Sequence, residues 1–185
     1  PTPPPPPTPP PYTCRRQRQM CIRDRAILTG SPSDLPVVLK GREVLNGLDI
    51  PNDVRVLSAH RTPSETAQYI AAAEKLGVEV FIACAGMAAH LAGVVAAHTT
   101  RPVIGVPIAS GALQGVDALL ATVQMPPGVP VATVGIDGAK NAAFLAARIV
   151  ALTHPEVQTR LAEHLQDSKK RYDSPDPSVP GQAAT

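Results

Sequence analysis

Residues 78–98 read VEVFIACAGMAAHLAGVVAAH. The first part, Val78–Ala85, is a near-continuous apolar run of strand length, the pattern of a central strand covered on both faces. Past Gly86, the Ala-rich spacing of Ala88–His98 returns to a helix. A strand running straight into a turn and a helix is a piece of a βαβ unit, and the same rhythm extends in both directions along the chain.

Toward the N-terminus, Asp53–Ser58 (DVRVLS) alternates apolar and polar residues as a strand does. It is followed by Thr62-Pro63-Ser64-Glu65, a capping box with proline at the first helical position, and Gly77 stops that helix. Earlier still, Ala26–Thr29 reads as a strand that ends in Gly30-Ser31-Pro32-Ser33-Asp34. The next helix carries Val37, Val38, Val44, Leu45 and Leu48 as one apolar stripe, with Asp34 as its N-cap. Toward the C-terminus, Pro102–Val106 and Val129–Val134 supply two more strands around a helix over Ala112–Val123. Helices over Asn141–Leu152 and Pro155–Lys170 complete the pattern. Five parallel strands flanked by helices predict a flavodoxin-like three-layer α/β/α sandwich, with strand order 2-1-3-4-5. Alanines cluster at 71–73, 88–97 and 142–147, which suits close helix packing or a subunit interface, and equally suits alanine's helix propensity.

A chain of 185 residues, 44% hydrophobic, fits one domain with a real core. Its apolar runs fall well short of the roughly twenty residues that span a bilayer, so no membrane contact is expected. The net charge of +2 is unevenly distributed: five arginines against Asp24 put +4 on residues 1–25 and leave −2 on the rest. That balance, with 3% aromatic residues and no Trp, gives no footprint for a nucleic-acid partner. Cys14 and Cys21 lie in the leader, so the folded part holds a single cysteine, Cys84, which suits a reducing cytoplasm.

Residues 1–25 are a different kind of sequence. Nine of the 22 prolines fall in residues 1–11, a composition that favours extended solvated chain over a packed core. Met20–Arg25 (MCIRDR) looks like translated adapter or assembly sequence joined to a frame whose own start was lost. The expected division is therefore a disordered, non-native leader over 1–25, a catalytic domain over 26–172 and a disordered tail over 173–185.

In open parallel sheets, ligands bind beyond the carboxyl ends of the strands where the strand order reverses. Three polar clusters fall there: Gly30–Asp34 after strand 1, Ser58–Arg61 (SAHR) after strand 2, and Cys84–His90 (CAGMAAH) after strand 3. Gly30 permits a tight turn, and the hydroxyls of Ser31 and Ser33 beside helix-terminal amides favour a phosphate or carboxylate. Asp34 could instead accept from sugar hydroxyls. Arg61 can grip an anion with two parallel hydrogen bonds, and His60 can gain and lose a proton near neutrality. Each cluster also has an ordinary reading. Ser and Asp are common turn and cap residues, a histidine after a strand is often structural, His90 could be tied to a backbone carbonyl, and Cys84 suits a small core site. No zinc-type Cys/His spacing, Walker-type loop or Gly-x-Gly-x-x-Gly fingerprint occurs, so the expected reaction needs neither metal nor nicotinamide cofactor.

Taken together, GSPSD at Gly30–Asp34, SAHRTP at Ser58–Pro63, AGMAAHLAG at Ala85–Gly93, PVIGVP at Pro102–Pro107, GVDALLATVQMPPGVPVATV at Gly115–Val134 and NAAFLAARI at Asn141–Ile149 resemble the PurE family of N5-carboxyaminoimidazole ribonucleotide mutases. The similarity covers residues 26–165. It implies a cofactor-free isomerase of purine (IMP) biosynthesis, assembled as a homo-octamer, that converts N5-carboxyaminoimidazole ribonucleotide into 4-carboxyaminoimidazole ribonucleotide by decarboxylation and recarboxylation. It also implies roles: His60 as proton shuttle, Ser33, Ser58 and Arg61 on the 5′-phosphate, and Asp34 on the ribose. Ser31 and the Ala85–Gly86 backbone, with His90 nearby, would line the pocket where the carboxylate migrates. The animal-type carboxylase branch typically has lysine after the SAH histidine and an Arg-Ser-Asn segment where this chain has Met87-Ala88-Ala89-His90, so Arg61 and His90 favour the mutase. Departures from the family pattern are Met87 for a usual glycine, Ala92 for a usual proline, and a short Gly135–Lys140. Two alternatives stand beside this reading: a PurE-like carboxylase using free carbon dioxide on the aminoimidazole ribonucleotide or another nucleotide, and a non-catalytic nucleotide-binding module.

Overall fold

The apolar run becomes the middle strand of a parallel sheet in the computed structural model, which describes residues 25–172. This strand, β3 (Val80–Gly86), is buried along its first five residues. It pairs with β1 (Arg25–Thr29) on one side and β4 (Val103–Ile108) on the other. Outside them lie β2 (Asn52–Val56), beside β1, and β5 (Ala132–Thr133), beside β4. All pairings are parallel and the order is β2-β1-β3-β4-β5, as the sequence pattern predicts.

Alternation along the strands divides the core between the two faces of the sheet. Ile27, Ile82, Cys84, Ile104 and Val106 face α1 (Leu35–Gly47), α5 (Ala139–Val150) and the start of α6 (Pro155–Tyr172). Ala26, Leu28, Phe81 and Ala83 face α2 (Pro63–Lys75) and α3 (Leu91–Ala97). A further helix, α4 (Val116–Val123), covers this second face near β4, where Gly105 leaves room for Thr122 and Val131. Phe81 is fully buried, which alone contributes roughly 1.5–3 kcal/mol relative to exposure.

Several boundaries differ from those expected. The first strand begins one residue earlier, at Arg25, which is 1% exposed and has its guanidinium 3.8 Å from Glu79. The fifth strand shrinks from Val129–Val134 to two residues, because Pro126, Pro127 and Pro130 remove donors and Val129 is drawn into a turn by donating to the Pro126 carbonyl. The helix expected from Ala112 starts at Val116, since Gly111, Gln114 and Gly115 all take positive φ. The one expected from Ala88 starts at Leu91, after amides at 89 and 90 turn back on the carbonyls of Met87 and Ala88. Asp34 and Thr62 take the expected N-cap positions, but neither makes a side-chain capping hydrogen bond. Ser31 caps a short 3-10 turn over Pro32–Asp34, and the Thr62 hydroxyl is engaged by Ser58 instead. Of the leader expected over 1–25, Arg25 belongs instead to β1, and residues 1–24, like the tail over 173–185, lie outside the described residues.

The alanines of α5 serve internal packing. Ala139, Ala142, Ala143, Ala146 and Ala147 are buried, and α1 approaches so closely that a Cβ on Gly41 would sit 2.7 Å from the Ala139 carbonyl oxygen. Gly41→Val should therefore destabilise the fold by about 1–3 kcal/mol through overpacking, read as a lower urea midpoint. A second prediction concerns the turn between α5 and α6, where His154 Nε2 lies 3.2 Å from Glu79 Oε1. The Glu79 hydrogen bond raises the His154 pKa above its ordinary value, against a smaller opposing effect of burial. Because the folded-state pKa is the higher one, this stabilisation is complete below the unfolded value of about 6.5 and is lost as pH rises through the folded value. Urea midpoints between about pH 5.5 and about pH 8.5 should fall with a slope that His154→Gln flattens.

Candidate functional site

The parallel register brings the carboxyl ends of the strands to one edge of the sheet: Thr29 lies opposite both Val56 and Cys84, and Gly86 opposite Ile108. The loops leaving that edge enclose a cavity of about 350 Å³. Ser31, Ser33, Asp34, Ser58, His60, Arg61, Ala85 and Gly86 all line it. His90 does not line the cavity; it reaches the site through a hydrogen bond to His60.

The loop after β1 is internally braced. The Ser31 and Ser33 hydroxyls are 2.7 Å apart, and the Ser33 amide donates to Ser31 Oγ at 3.3 Å. Asp34 is 7% exposed, and its carboxylate accepts from Ser33 Oγ at 3.0 Å and from Thr29 Oγ1 at 3.4 Å. An aspartate held this way, short of its full set of acceptor contacts, keeps capacity for hydroxyls of a ligand.

The loop after β2 is closed by Ser58. Its amide donates to Thr62 Oγ1 at 2.9 Å, its carbonyl accepts from the Thr62 amide at 2.9 Å, and its hydroxyl accepts from the Arg61 amide at 3.2 Å. These bonds turn the chain so that His60 and Arg61 both face the cavity. The Arg61 side chain is exposed and forms no salt bridge with a described residue, which leaves its guanidinium available to an anion.

His60 Nε2 lies 2.7 Å from His90 Nδ1, with the rings edge to face at 84° and their centroids 4.9 Å apart. One nitrogen must carry a proton while the other accepts it, so the tautomer of each ring depends on the other. The pair joins the loop after β2 to the loop after β3, across the intervening β1.

Of the other lining residues, Ala59, Ala88 and Leu91 fall within the quoted stretches without a role of their own, and Ser110 lies outside all of them. Ser110 had a usable signal, because it closely follows the carboxyl end of β4, a strand the predicted order already placed beside β3. Met87 lines the cavity with φ +54°, a left-handed conformation that glycine adopts freely and that costs other residues of order 1–3 kcal/mol. The Met87 side chain runs beside Gly111 at the start of the loop after β4. A wider groove of about 600 Å³ between α5 and α6 is lined by Phe144, Leu145, Leu161 and Leu165, and its Arg148 and His164 meet no comparable set of polar groups.

Among the described residues, no group of three or more His, Cys, Asp or Glu side chains is placed to hold a metal ion, and no helix is long and apolar enough to cross a membrane. Beneath the site, Cys84 is fully buried in the core. Burial, and secondarily the Asp34 charge, pushes its thiol up to about 12. A thiol at that value is not a nucleophile at neutral pH.

A family profile described as AIR carboxylase matches residues 25–171. The chain is 54% identical over 144 residues to an N5-carboxyaminoimidazole ribonucleotide mutase of Pyrococcus abyssi, an alignment spanning 78% of this chain and 83% of that one. A protein of the same name from Pyrococcus horikoshii is 50% identical over 147 residues, 80% of this chain and 83% of that one. Among solved structures, Treponema denticola PurE superposes with a TM-score of 0.74 at 29% identity, covering 80% of this chain and 92% of that one.

Treatment of the native protein with iodoacetamide near pH 8 should leave Cys84 unmodified, with alkylation appearing only after denaturation. Peptide mass mapping reads the outcome, and fast native labelling at Cys84 would contradict the buried assignment.

Proposed function

The chain belongs to the AIR carboxylase family, and from that premise we propose that it is an N5-carboxyaminoimidazole ribonucleotide mutase, an isomerase of purine biosynthesis. The observation that carries the reading is the His60–His90 pair at a cavity that Asp34, Ser33 and Arg61 also line. About 350 Å³ falls at the small end of the range for ligand pockets and suits a mononucleotide.

In this reading Arg61, with the Ser58 hydroxyl and with the Ser33 hydroxyl once it turns from Asp34, grips the 5′-phosphate, and Asp34 accepts from the ribose. The heterocycle then lies toward Ala85 and Gly86, with His60 beside it and Ser31 lining the carboxylate pocket. A proton from His60 goes to the exocyclic nitrogen, the nitrogen–carboxyl bond breaks, and carbon dioxide is released within the cavity. The ring carbon attacks that carbon dioxide, and His60 takes the proton the ring carbon loses. One proton is given and one returned, so the reaction balances without oxidant, reductant or cofactor. His90, 2.7 Å from His60, orients the ring and stabilises the proton it holds. Holding both fragments together replaces a recapture from dilute solution by a step at high effective concentration.

A homo-octamer working in the cytoplasm fits the same reading. Apolar side chains of Val116, Leu120 and Val123 are half-exposed along α4, as expected of a helix that meets a neighbouring subunit. Cys84, the single cysteine among the described residues, is a buried free thiol, which suits a reducing compartment.

His60→Asn should keep the fold and lower interconversion by at least about 10²-fold, measured by the ultraviolet change between the two carboxylated ribonucleotides. Substantial turnover in that variant would remove His60 from the shuttle role. Assays with and without added bicarbonate separate this reading from a carboxylase, which would depend on the added carbon dioxide, and tight ribonucleotide binding without turnover would point to a binding module.

A further inference from the structure

We infer that Ser110, at the carboxyl end of β4, holds an oxygen of the migrating carboxylate and of the carbon dioxide formed from it. The inference rests on the mutase reading and deepens it.

The other serine hydroxyls of the site are already engaged: Ser31 with Ser33, Ser33 with Asp34, and Ser58 with the Arg61 amide. Ser110 Oγ differs. It is shielded from solvent and has no hydrogen-bond partner among the described residues, although the residue lines the cavity. A buried hydroxyl without a partner is uncommon and calls for a missing one. The neighbouring backbone has been cleared for it, since a Cβ at Gly86 would run into Ser110 Oγ and would lie 3.2 Å from the Ile108 carbonyl oxygen. Gly86 thus lacks a side chain where the Ser110 hydroxyl is seated.

Position in the sheet selects the ligand group. The order β2-β1-β3-β4 places Ser110 on the flank away from Arg61 and Ser58, so a nucleotide whose phosphate is gripped beyond β2 and β1 presents its other end toward β4. The surrounding wall is Ala85, Gly86 and Met87, with no cation among them. A neutral hydroxyl, added to that of Ser31 in the same cavity, suits a carboxylate oxygen about to become part of an uncharged, weakly accepting molecule, and without a cation beside it would serve a phosphate poorly. Ser110 donates a hydrogen bond throughout and neither gains nor loses a proton. The bond broken, nitrogen to carboxyl carbon, and the bond formed, ring carbon to the same carbon, leave its hydroxyl unchanged.

The test compares the full-length wild type with Ser110→Ala and Ser110→Cys, supplied with the N-carboxylated ribonucleotide in buffer containing 13C-bicarbonate. The expected result for Ser110→Ala is a fall in interconversion rate of about 10- to 100-fold, the range for a hydrogen bond to a charged group. It should come with a rise in free aminoimidazole ribonucleotide and in 13C-labelled product, because carbon dioxide that is not held escapes and exchanges. KM should stay within about twofold, since the phosphate grip is intact. Ser110→Cys keeps the volume with a weaker donor, should show the same leak, and decides the matter if the alanine variant fails to fold. A slower rate with no added label would mean Ser110 only supports packing, and unchanged rate and labelling would remove it from the site; either overturns the inference alone. A wild type that does not interconvert the two ribonucleotides overturns the mutase reading itself.

Discussion

Everything at the site depends on β3 being paired on both sides and covered on both faces. A strand in that position can carry no charged side chain along its buried length, so polar groups are confined to the segment where it leaves the sheet. In this chain that segment is Gly86–His90, and the register forces the ends of β1 and β4 to stop beside it. Chemistry gathers at the carboxyl-end edge because the buried length of β3 has no room for it.

The loops at that edge are shaped by their own polar groups. Ser31, Ser33 and Asp34 brace one another, and Ser58 closes its loop through Thr62 and the Arg61 amide. Such local bonds give each loop a defined shape without a long-range partner, which is the condition for presenting a side chain within tenths of an ångström. The His60–His90 contact is of another kind, since it bridges loops thirty residues apart in sequence and ties the rigidity of one to the other. Backbone shape contributes too. Met87 at positive φ and the glycines at 111 and 115 turn two neighbouring loops sharply, and the shortened start of α4 follows from that geometry.

The periphery is organised differently. β5 is two residues long, and proline leaves its approach poor in donors, an arrangement that blunts the edge of the sheet against pairing with another chain. α5 packs with alanines against Gly41 of α1, bringing two helices together over one face. The opposite face is covered by α2, α3 and α4, and only the strand ends are left to the loops of the site.

The sequence alone was enough for the strand order, the two-sided burial of β3, the apolar stripe of α1 and the loops that carry Ser31, Asp34, His60, Arg61 and Gly86. These are legible because periodicity and turn residues are local signals, and a parallel sheet has few ways to connect them. The N-cap positions of Asp34 and Thr62 were legible but their hydrogen bonds were not, because serine, threonine and aspartate have several partners within reach and sequence does not say which one wins. Only the tertiary structure paired His60 with His90 and set Ser110 against Gly86. Both contacts join segments whose separation in the chain carries no trace of their nearness, and they arise when the sheet register brings separate strand ends to one edge.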